Sequence, residues 1–207
     1  MMTRFAFLFL AAVFCASFTN DNRSTVYEYS AEPSIPDSVN TASSVTYLDQ
    51  EEKRVIALCN IARTKPKEFA QNYAQPFIDS AGKKNSYTNS LLRTLRTMKP
   101  VAALLPDEAL TKTADAHAEK SGKAGTTGHS GKKQRYAKSP YPYWGENCSY
   151  GYSDALDIVM QLLIDDGIKN LGHRKNILNP KFTHIGVGIR KHKRYEWNCV
   201  QNFGGSN

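Results

Sequence analysis

The sequence predicts an α+β domain in which helices pack around a small antiparallel sheet. Apolar residues recur at helical spacing in five segments between residues 49 and 164. About the last forty residues differ, because two β-rich segments at 184–191 and 196–204 are joined there by a short polar turn. Helices that precede a terminal hairpin are typical of a layered α+β domain. At 207 residues the chain has room for one domain with a substantial core.

The first 47 residues are predicted to lie outside this domain. Residues 1–19 contain one arginine, then an apolar stretch and then small residues, which is the layout of a cleaved secretory signal peptide. A retained N-terminal anchor is the alternative. Residues 20–47 are rich in Ser, Thr, Asn and Pro and have no sustained apolar period, so we expect a flexible leader. The domain then comprises residues 48–207, and the expected localisation is secreted, extracellular.

Three helices are predicted in the first half of the domain. Asp49 and Glu52 have the spacing of a capping box at the start of the first helix. Pro66 opens a second, shorter helix, because proline is favoured at the first helical position. A third helix, with the sequence "SLLRTLRTM", ends before Pro100. The residues expected to face inward in these helices are Val55, Ile56, Cys59, Ala62, Phe69, Tyr73, Leu91, Leu92, Leu95 and Met98.

Two helices and three strands are predicted in the second half. The fourth helix is entered through Pro106 and left at Gly122, and Ser153 is the expected N-cap of the fifth. A strand at 144–151 lies between these helices and joins the terminal hairpin in the sheet. The residues expected to face inward in the two helices are Leu110, Ala114, His117, Ser121, Ile158, Val159, Leu162 and Leu163.

Three cysteines remain once the signal peptide is removed, namely Cys59, Cys148 and Cys199. In an oxidising compartment we expect one disulfide and one buried thiol. Cys148 and Cys199 are the expected pair, because both lie in strand-like segments. A zinc site made of cysteines is not expected, since the chain has no closely spaced Cys-x-x-Cys pair.

The chain is basic, with a net charge of +8 and two basic runs at 132–138 and 190–194. Such runs usually form solvated faces, but on a secreted protein they can also bind anionic lipid or glycan surfaces. Nucleic acid is not an expected partner, because the sequence contains no recognisable nucleic-acid-binding module.

Four short polar stretches follow one another along the chain. They are "TTGHSG", "WGENCSYG", "LLIDDG" and "LGHRKNIL". Their order, spacing and composition resemble the CAP superfamily, also called the SCP domain, which includes the cysteine-rich secretory proteins. The resemblance extends from about residue 48 to residue 203 and takes in "LCNIAR" and "FTHIGVGI" as well. It implies a three-layer α-β-α sandwich in which helices flank a small antiparallel sheet.

Members of that family carry two histidines and two acids in a cleft, and the resemblance assigns each of them to a residue here. His129 and Glu146 match the first histidine and the first acid, and His173 matches the second histidine. The second acid is usually a glutamate near the end of the preceding helix. Asp166 is its implied counterpart, and Asp165 is the alternative.

The residue types of this cleft suit a divalent metal. Two neutral imidazoles and a carboxylate form a normal Zn²⁺ coordination set that leaves one position open for water, while a second acid can orient a histidine. His129 and His173 are the implied metal ligands. Arg174 and Asn176 are expected to support the loop after His173 through backbone hydrogen bonds. His117, on the inner face of the fourth helix, is expected to be a packed, hydrogen-bonded histidine.

The expected function is extracellular binding of a lipid, a sterol or a polyanionic glycan, without catalysis. Binding of such ligands recurs in the family, as does a role in defence. One alternative is a metal-dependent hydrolase with His129 and His173 as ligands and Glu146 as general base. Another is a structural extracellular protein. The sequence has no His-Glu-x-x-His helix and no Gly-x-Ser-x-Gly elbow, which makes binding the favoured interpretation.

Overall fold

A computed structural model of the protein describes residues 34–137 and 139–206. The predicted signal peptide with Cys15, the leader up to residue 33, and Lys138 of the first basic run lie outside the described residues. The described residues form an α+β fold with a four-stranded sheet and helices on both of its faces. No helix in this part of the chain is long and apolar enough to cross a membrane.

The five predicted helices and three predicted strands are present, and short elements accompany them. The helical elements are a 3₁₀ turn (Asp37–Val39), α1 (Gln50–Thr64), α2 (Pro66–Phe69), a π-helical turn (Ala70–Ala74), α3 (Gln75–Ser80), α4 (Ser86–Thr97), α5 (Glu108–Ala124), α6 (Lys132–Tyr136), α7 (Ala155–Ile164) and α8 (Gly172–Ile177). The strands are β1 (Leu105–Pro106), β2 (Tyr143–Tyr150), β3 (His184–His192) and β4 (Glu196–Gly205).

The sheet has the strand order β1-β3-β4-β2, which places β2 at one edge. Strands β3 and β4 form the predicted antiparallel hairpin, and β2 pairs antiparallel with β4. Strand β1 pairs in parallel with β3, with Leu105 opposite His184. The sheet is therefore mixed and not purely antiparallel. A strand of two residues has no alternating pattern of its own, so periodicity could not reveal it.

Helix α5 covers one face of the sheet at very short range. A Cβ atom placed on Gly186 would lie 2.1 Å from the backbone nitrogen of Thr111, and one on Gly188 would lie 2.6 Å from the Cα of Asp115. Asn202, opposite Gly186 in the hairpin, donates from Nδ2 to Leu110 O at 3.4 Å. The absence of side chains at these two glycines is what allows the helix to lie directly on β3.

Helices α1, α7 and α8 cover the opposite face. Gln201 Nε2 lies 3.9 Å from Cys59 Sγ on α1, and Ser149 donates a short hydrogen bond to Gln161 on α7. Because the side chains of a strand alternate between its faces, residues 147 and 149 of β2 point away from α5. The predicted three-layer α-β-α arrangement is confirmed.

The helix caps agree with the sequence apart from a shift of one residue. Glu52 N donates to Asp49 Oδ1 at 2.8 Å and Asp49 N donates to Glu52 Oε2 at 3.0 Å, so the predicted capping box is confirmed. Asp154, and not Ser153, is the N-cap of α7, where its carboxylate accepts from two backbone N–H groups. Helix α5 begins after Asp107, which caps it by accepting from Leu110 N.

The segment before α1 packs onto the domain. Val39 and Ala42 are 2% and 1% exposed, and Asn60 Nδ2 on α1 donates to Val39 O at 3.1 Å. Thr41 also donates from its hydroxyl to Leu104 O at 2.8 Å. Part of the segment 34–47, which composition assigned to a flexible leader, therefore packs onto the domain, and the Asn60 side chain satisfies the Val39 carbonyl.

The predicted disulfide between Cys148 and Cys199 is wrong, since the three cysteines in the described part of the chain are all free. Cys148 lies opposite Val200 and Cys199 lies opposite Ser149 in the β2–β4 ladder. Directly opposite residues share a face and neighbouring residues do not, so the two thiols point to different faces of the sheet. Their Cβ vectors point apart, which excludes a bridge without backbone movement.

Candidate functional site

His129 and Glu146 form the first histidine–acid pair. His129 follows α5, has a side chain that is 42% exposed, and donates from Nδ1 to Glu146 Oε1 at 2.8 Å. The Glu146 side chain is fully buried, and its other oxygen accepts a hydrogen bond from Arg135 on α6. Burial would raise the pKa of Glu146, but the hydrogen bonds from His129 and Arg135 outweigh it and lower that pKa. Glu146 is thus a buried carboxylate that remains ionised near neutral pH.

Each residue of the Gly145–Glu146–Asn147 triplet makes a different structural contribution. A Cβ atom on Gly145 would lie 2.8 Å from the ring of Phe182, so glycine is needed for that packing. Glu146 faces α5, and Asn147 faces the opposite layer, where its Nδ2 donates to His173 O at 3.2 Å. The triplet therefore connects the two helical layers through one edge strand.

His173 and Asp165 form the second pair. His173 donates from Nδ1 to Asp165 Oδ1 at 2.7 Å, and its backbone N–H donates to Asp165 Oδ2 at 2.9 Å. Asp165 is buried and ends α7 in a left-handed conformation with φ 58°. The neighbouring Asp166 is exposed and accepts from Asn85 Nδ2 at 3.0 Å.

The acid beside His173 is consequently Asp165, the alternative, and not the implied counterpart Asp166. The left-handed residue stops α7 and turns the Asp165 carboxylate towards the first turn of α8. The next residue along the chain then points to solvent.

Arg174 and Asn176 hold α8 in place. The buried Arg174 guanidinium donates to Leu163 O and Ile164 O at the end of α7, at 2.6 and 2.8 Å. Asn176 donates from Nδ2 to Asn147 Oδ1 at 2.8 Å. Both side chains thus fix the short helix that carries His173 against α7 and β2.

The two pairs contact neighbouring residues of strand β2. His129 binds the Glu146 side chain on the α5 face, while the His173 carbonyl accepts from the Asn147 side chain on the other face. In both pairs Nδ1 donates to a carboxylate. In a neutral ring this leaves Nε2 with a free lone pair, which can accept a hydrogen bond or bind a metal ion.

The comparison with protein families decides what kind of domain this is. The model of the cysteine-rich secretory protein family, CAP, matches residues 57–203, which is most of the chain. The chain belongs to the CAP family.

The chain is also similar to known structures and sequences. Venom allergen-like protein 4 of Schistosoma mansoni aligns with a TM-score of 0.51 at 13% identity, over 76% of this chain and 90% of that chain. Its similarity concerns the fold alone. An uncharacterized membrane protein of Bacillus subtilis, YlbC, is 27% identical over 120 residues, and an uncharacterized protein of that bacterium, YkwD, is 46% identical over 48 residues.

The matches to the two Bacillus proteins are partial. They cover 55% and 23% of this chain but only 33% and 17% of the length of YlbC and YkwD, respectively. The chain thus matches at most a third of either relative.

A second cluster lies on the α5 face of the CAP domain. His117, Glu146 and Cys148 each offer a donor atom, and these atoms all lie within 4.8 Å of one another. Burial lowers the pKa of His117, which keeps the ring neutral, and burial raises the pKa of Cys148 to about 12.

Sequence reasoning missed this cluster because it assigned His117 to packing and Cys148 to a disulfide. The available signal was that Cys148 follows Glu146 by two strand positions and shares its face.

A basic pocket lies between the end of α5 and the β3–β4 turn of the CAP domain. Its volume is about 590 Å³. Helix and hairpin approach closely here, since Lys193 N donates to Gly122 O at 2.9 Å. The Lys191 ammonium lies 3.7 Å from the centre of the Trp197 ring. The lining residues are Gly122, Lys123, Lys191, His192, Lys193 and Glu196.

Proposed function

We propose that this CAP protein is a secreted, non-catalytic binding protein for an anionic ligand, either a sulfated or carboxylated glycan or an anionic lipid headgroup. The observation that supports this proposal is the basic pocket, in which three of the six lining residues are lysines and one is an acid. A concave site lined by one sign of charge raises the local concentration of oppositely charged ligands. The signal-like N-terminus supports secretion.

The shape of the pocket is fixed by hydrogen bonds that leave the ammonium groups of Lys191 and Lys193 available, while Lys123 is paired with Glu119. His192 is buried, its Nε2–H donates to Thr126 O at 3.0 Å, and its Nδ1 accepts from Arg194 N and Tyr195 N. The histidine therefore holds the turn, and it is the ammonium groups that meet the ligand. The contact between Lys191 and the Trp197 ring orients one of these ammonium groups.

Reversing two pocket charges is expected to weaken anion binding. We expect Lys191→Glu/Lys193→Glu to bind a heparin-like sulfated oligosaccharide more than about tenfold more weakly than the unaltered protein, because two attractions become repulsions. Isothermal titration calorimetry at two salt concentrations measures this effect, and the affinity of the unaltered protein should fall as salt rises.

The matched control is Lys67→Glu/Lys99→Glu, which changes the net charge equally at exposed positions outside the pocket. It should retain most of the affinity. Flotation with phosphatidylserine vesicles is the second binding assay. A protein that binds the vesicles but not the oligosaccharide would have a lipid headgroup as its anionic ligand. Equal weakening in both double variants, or no saturable binding in either arm, contradicts the proposal.

The second candidate is metal-dependent hydrolysis in the cleft, and the two Nδ1–carboxylate contacts favour it. Such contacts orient metal-binding histidines, and His129 and His173 are the residues that would hold a divalent ion. A bound divalent ion would supply an activated water. Both oxygens of Glu146 already accept hydrogen bonds, from His129 and Arg135. Glu146 therefore suits the role of an orienting acid better than that of a general base.

Peptide and ester substrates test this candidate. Turnover that needs an added divalent ion and disappears in His173→Ala would support it. Turnover that is absent, or that persists in His173→Ala, would exclude it.

A further inference from the structure

Three donors of different chemistry meet between α5 and the edge strand β2, on the face of the sheet that α5 covers. A ring nitrogen of His117, a carboxylate oxygen of Glu146 and the Sγ of Cys148 all lie within 4.8 Å of one another. Ligand atoms around one tetrahedral Zn²⁺ are separated by about 3.3 to 3.8 Å, given zinc–ligand bonds of about 2.0 to 2.3 Å. We propose that these three side chains form a binding site for a thiophilic divalent cation of the Zn²⁺ type.

The three donors are held on rigid elements and are closed off from solvent. His117 is 6% exposed on α5, and Glu146 and Cys148 are 2% and 8% exposed on β2. Gly128 O accepts a hydrogen bond from His117 Nε2 at 3.0 Å and lies 3.7 Å from Cys148 Sγ, so the segment after α5 covers the cluster. Closed sites with donors of this kind are typical of structural metal centres, in which no position is reserved for substrate.

A fourth donor lies on the solvent side of the cluster. His129 Nδ1 is 2.8 Å from Glu146 Oε1 and 3.7 Å from Cys148 Sγ, and its ring is partly exposed. His129 can bind the ion through Nδ1 once the proton on that nitrogen moves to the Nε2 of the partly exposed ring, and this side of the cluster offers the entry path for the ion.

Charge and protons balance in this site. On binding, the sulfur–metal bond forms as the Cys148 S–H proton leaves to solvent, so that a thiolate and the Glu146 carboxylate face a divalent cation. Arg135 donates to the second oxygen of Glu146 and can keep that contact while the first oxygen binds the ion. No redox change takes place.

This site differs from the cleft that the two histidine–acid pairs suggest. It shares His129 and Glu146 with that cleft, but it uses His117 and Cys148 where the cleft would use His173. Metal binding at the proposed site therefore requires Cys148 and not His173, whereas metal binding in the cleft requires His173 and not Cys148. The proposal is independent of the basic pocket.

Cobalt substitution tests the site through a signal that only a sulfur ligand produces. We expect reduced, metal-free protein to bind one Co²⁺ per chain and to develop a near-ultraviolet thiolate-to-cobalt absorption band. Cys148→Ser should abolish the band, and His117→Ala should weaken Co²⁺ binding more than about tenfold. Cys199→Ser, which removes another buried thiol, is the matched control and should keep both the band and the affinity.

Several results would overturn the proposal. One is an absence of the band in the unaltered protein, and another is its persistence in Cys148→Ser. Cobalt that binds without the band and is lost in His173→Ala would assign the ion to the cleft instead. Far-ultraviolet circular dichroism shows whether each variant is folded. An absent band in the unaltered protein overturns the proposal even if a variant does not fold.

Discussion

Replacing Arg63 with alanine is expected to lower the free energy of unfolding by about 4 kcal/mol. Arg63 is fully buried, and its guanidinium donates to four backbone carbonyls that belong to different parts of the chain. The distances to Ala102 O, Ile177 O, Asn179 O and Phe182 O lie between 2.7 and 2.9 Å. Alanine would leave these acceptors without their donor, and buried unsatisfied polar groups are costly. Urea unfolding followed by tryptophan fluorescence measures the change.

Arg63→Lys serves as the control for charge. Burial lowers the pKa of Arg63 to about 10, so the guanidinium remains cationic at neutral pH. A lysine keeps a charge of that sign but cannot reach four acceptors that are arranged for a planar fork. We expect its stability to lie between those of the unaltered protein and Arg63→Ala. A loss below about 1 kcal/mol in Arg63→Ala would mean that water satisfies the carbonyls, and it would contradict this role.

Gly186→Val is expected to destabilise the domain by at least about 3 kcal/mol or to prevent folding. The new Cβ would lie 2.1 Å from Thr111 N and 2.2 Å from the carbonyl carbon of Leu110. Both are backbone atoms of α5, so no side chain can rotate away, and the helix would have to leave β3. Thermal unfolding by circular dichroism gives the size of the effect.

Gly172→Ala is the matched control. A Cβ there meets only the side chain of Asn170, at 3.4 Å, and the backbone does not have a positive φ. We expect a change within about 0.5 kcal/mol. If Gly186→Val changed the free energy of unfolding as little as Gly172→Ala, the close approach of α5 to β3 would not be a determinant of the fold.

Local signals were sufficient for most of the fold. The capping box of Asp49 and Glu52 and the alternating hairpin segments are short-range patterns, and their structures agree with them. Strand β1 and helix α8 were missed. The first has two residues and is stabilised by pairing with Leu105 opposite His184, and the second is held by Arg174 through contacts with α7. Tertiary contacts of this kind leave no local periodicity.

In the candidate site, too, the sequence predicted some features and tertiary contacts determined the others. Motif order singled out His129, Glu146 and His173, which the structure places in two histidine–carboxylate pairs, but it could not choose between two adjacent aspartates. That choice depends on the left-handed backbone of Asp165, which sets which carboxylate meets His173. The disulfide prediction failed because a register shift of one residue reverses the face to which a strand residue points. Composition and spacing cannot fix that register.

Long-range ¹H–¹⁵N NMR of the imidazole rings tests most directly whether two histidine–carboxylate pairs build this site. In metal-free protein at a pH where the rings are neutral, His129 and His173 should both be protonated on Nδ1, because Glu146 and Asp165 accept from that nitrogen. Asp165→Asn should weaken this preference at His173 and leave His129 unchanged. An Nε2–H tautomer at both histidines of the unaltered protein would contradict the pairing.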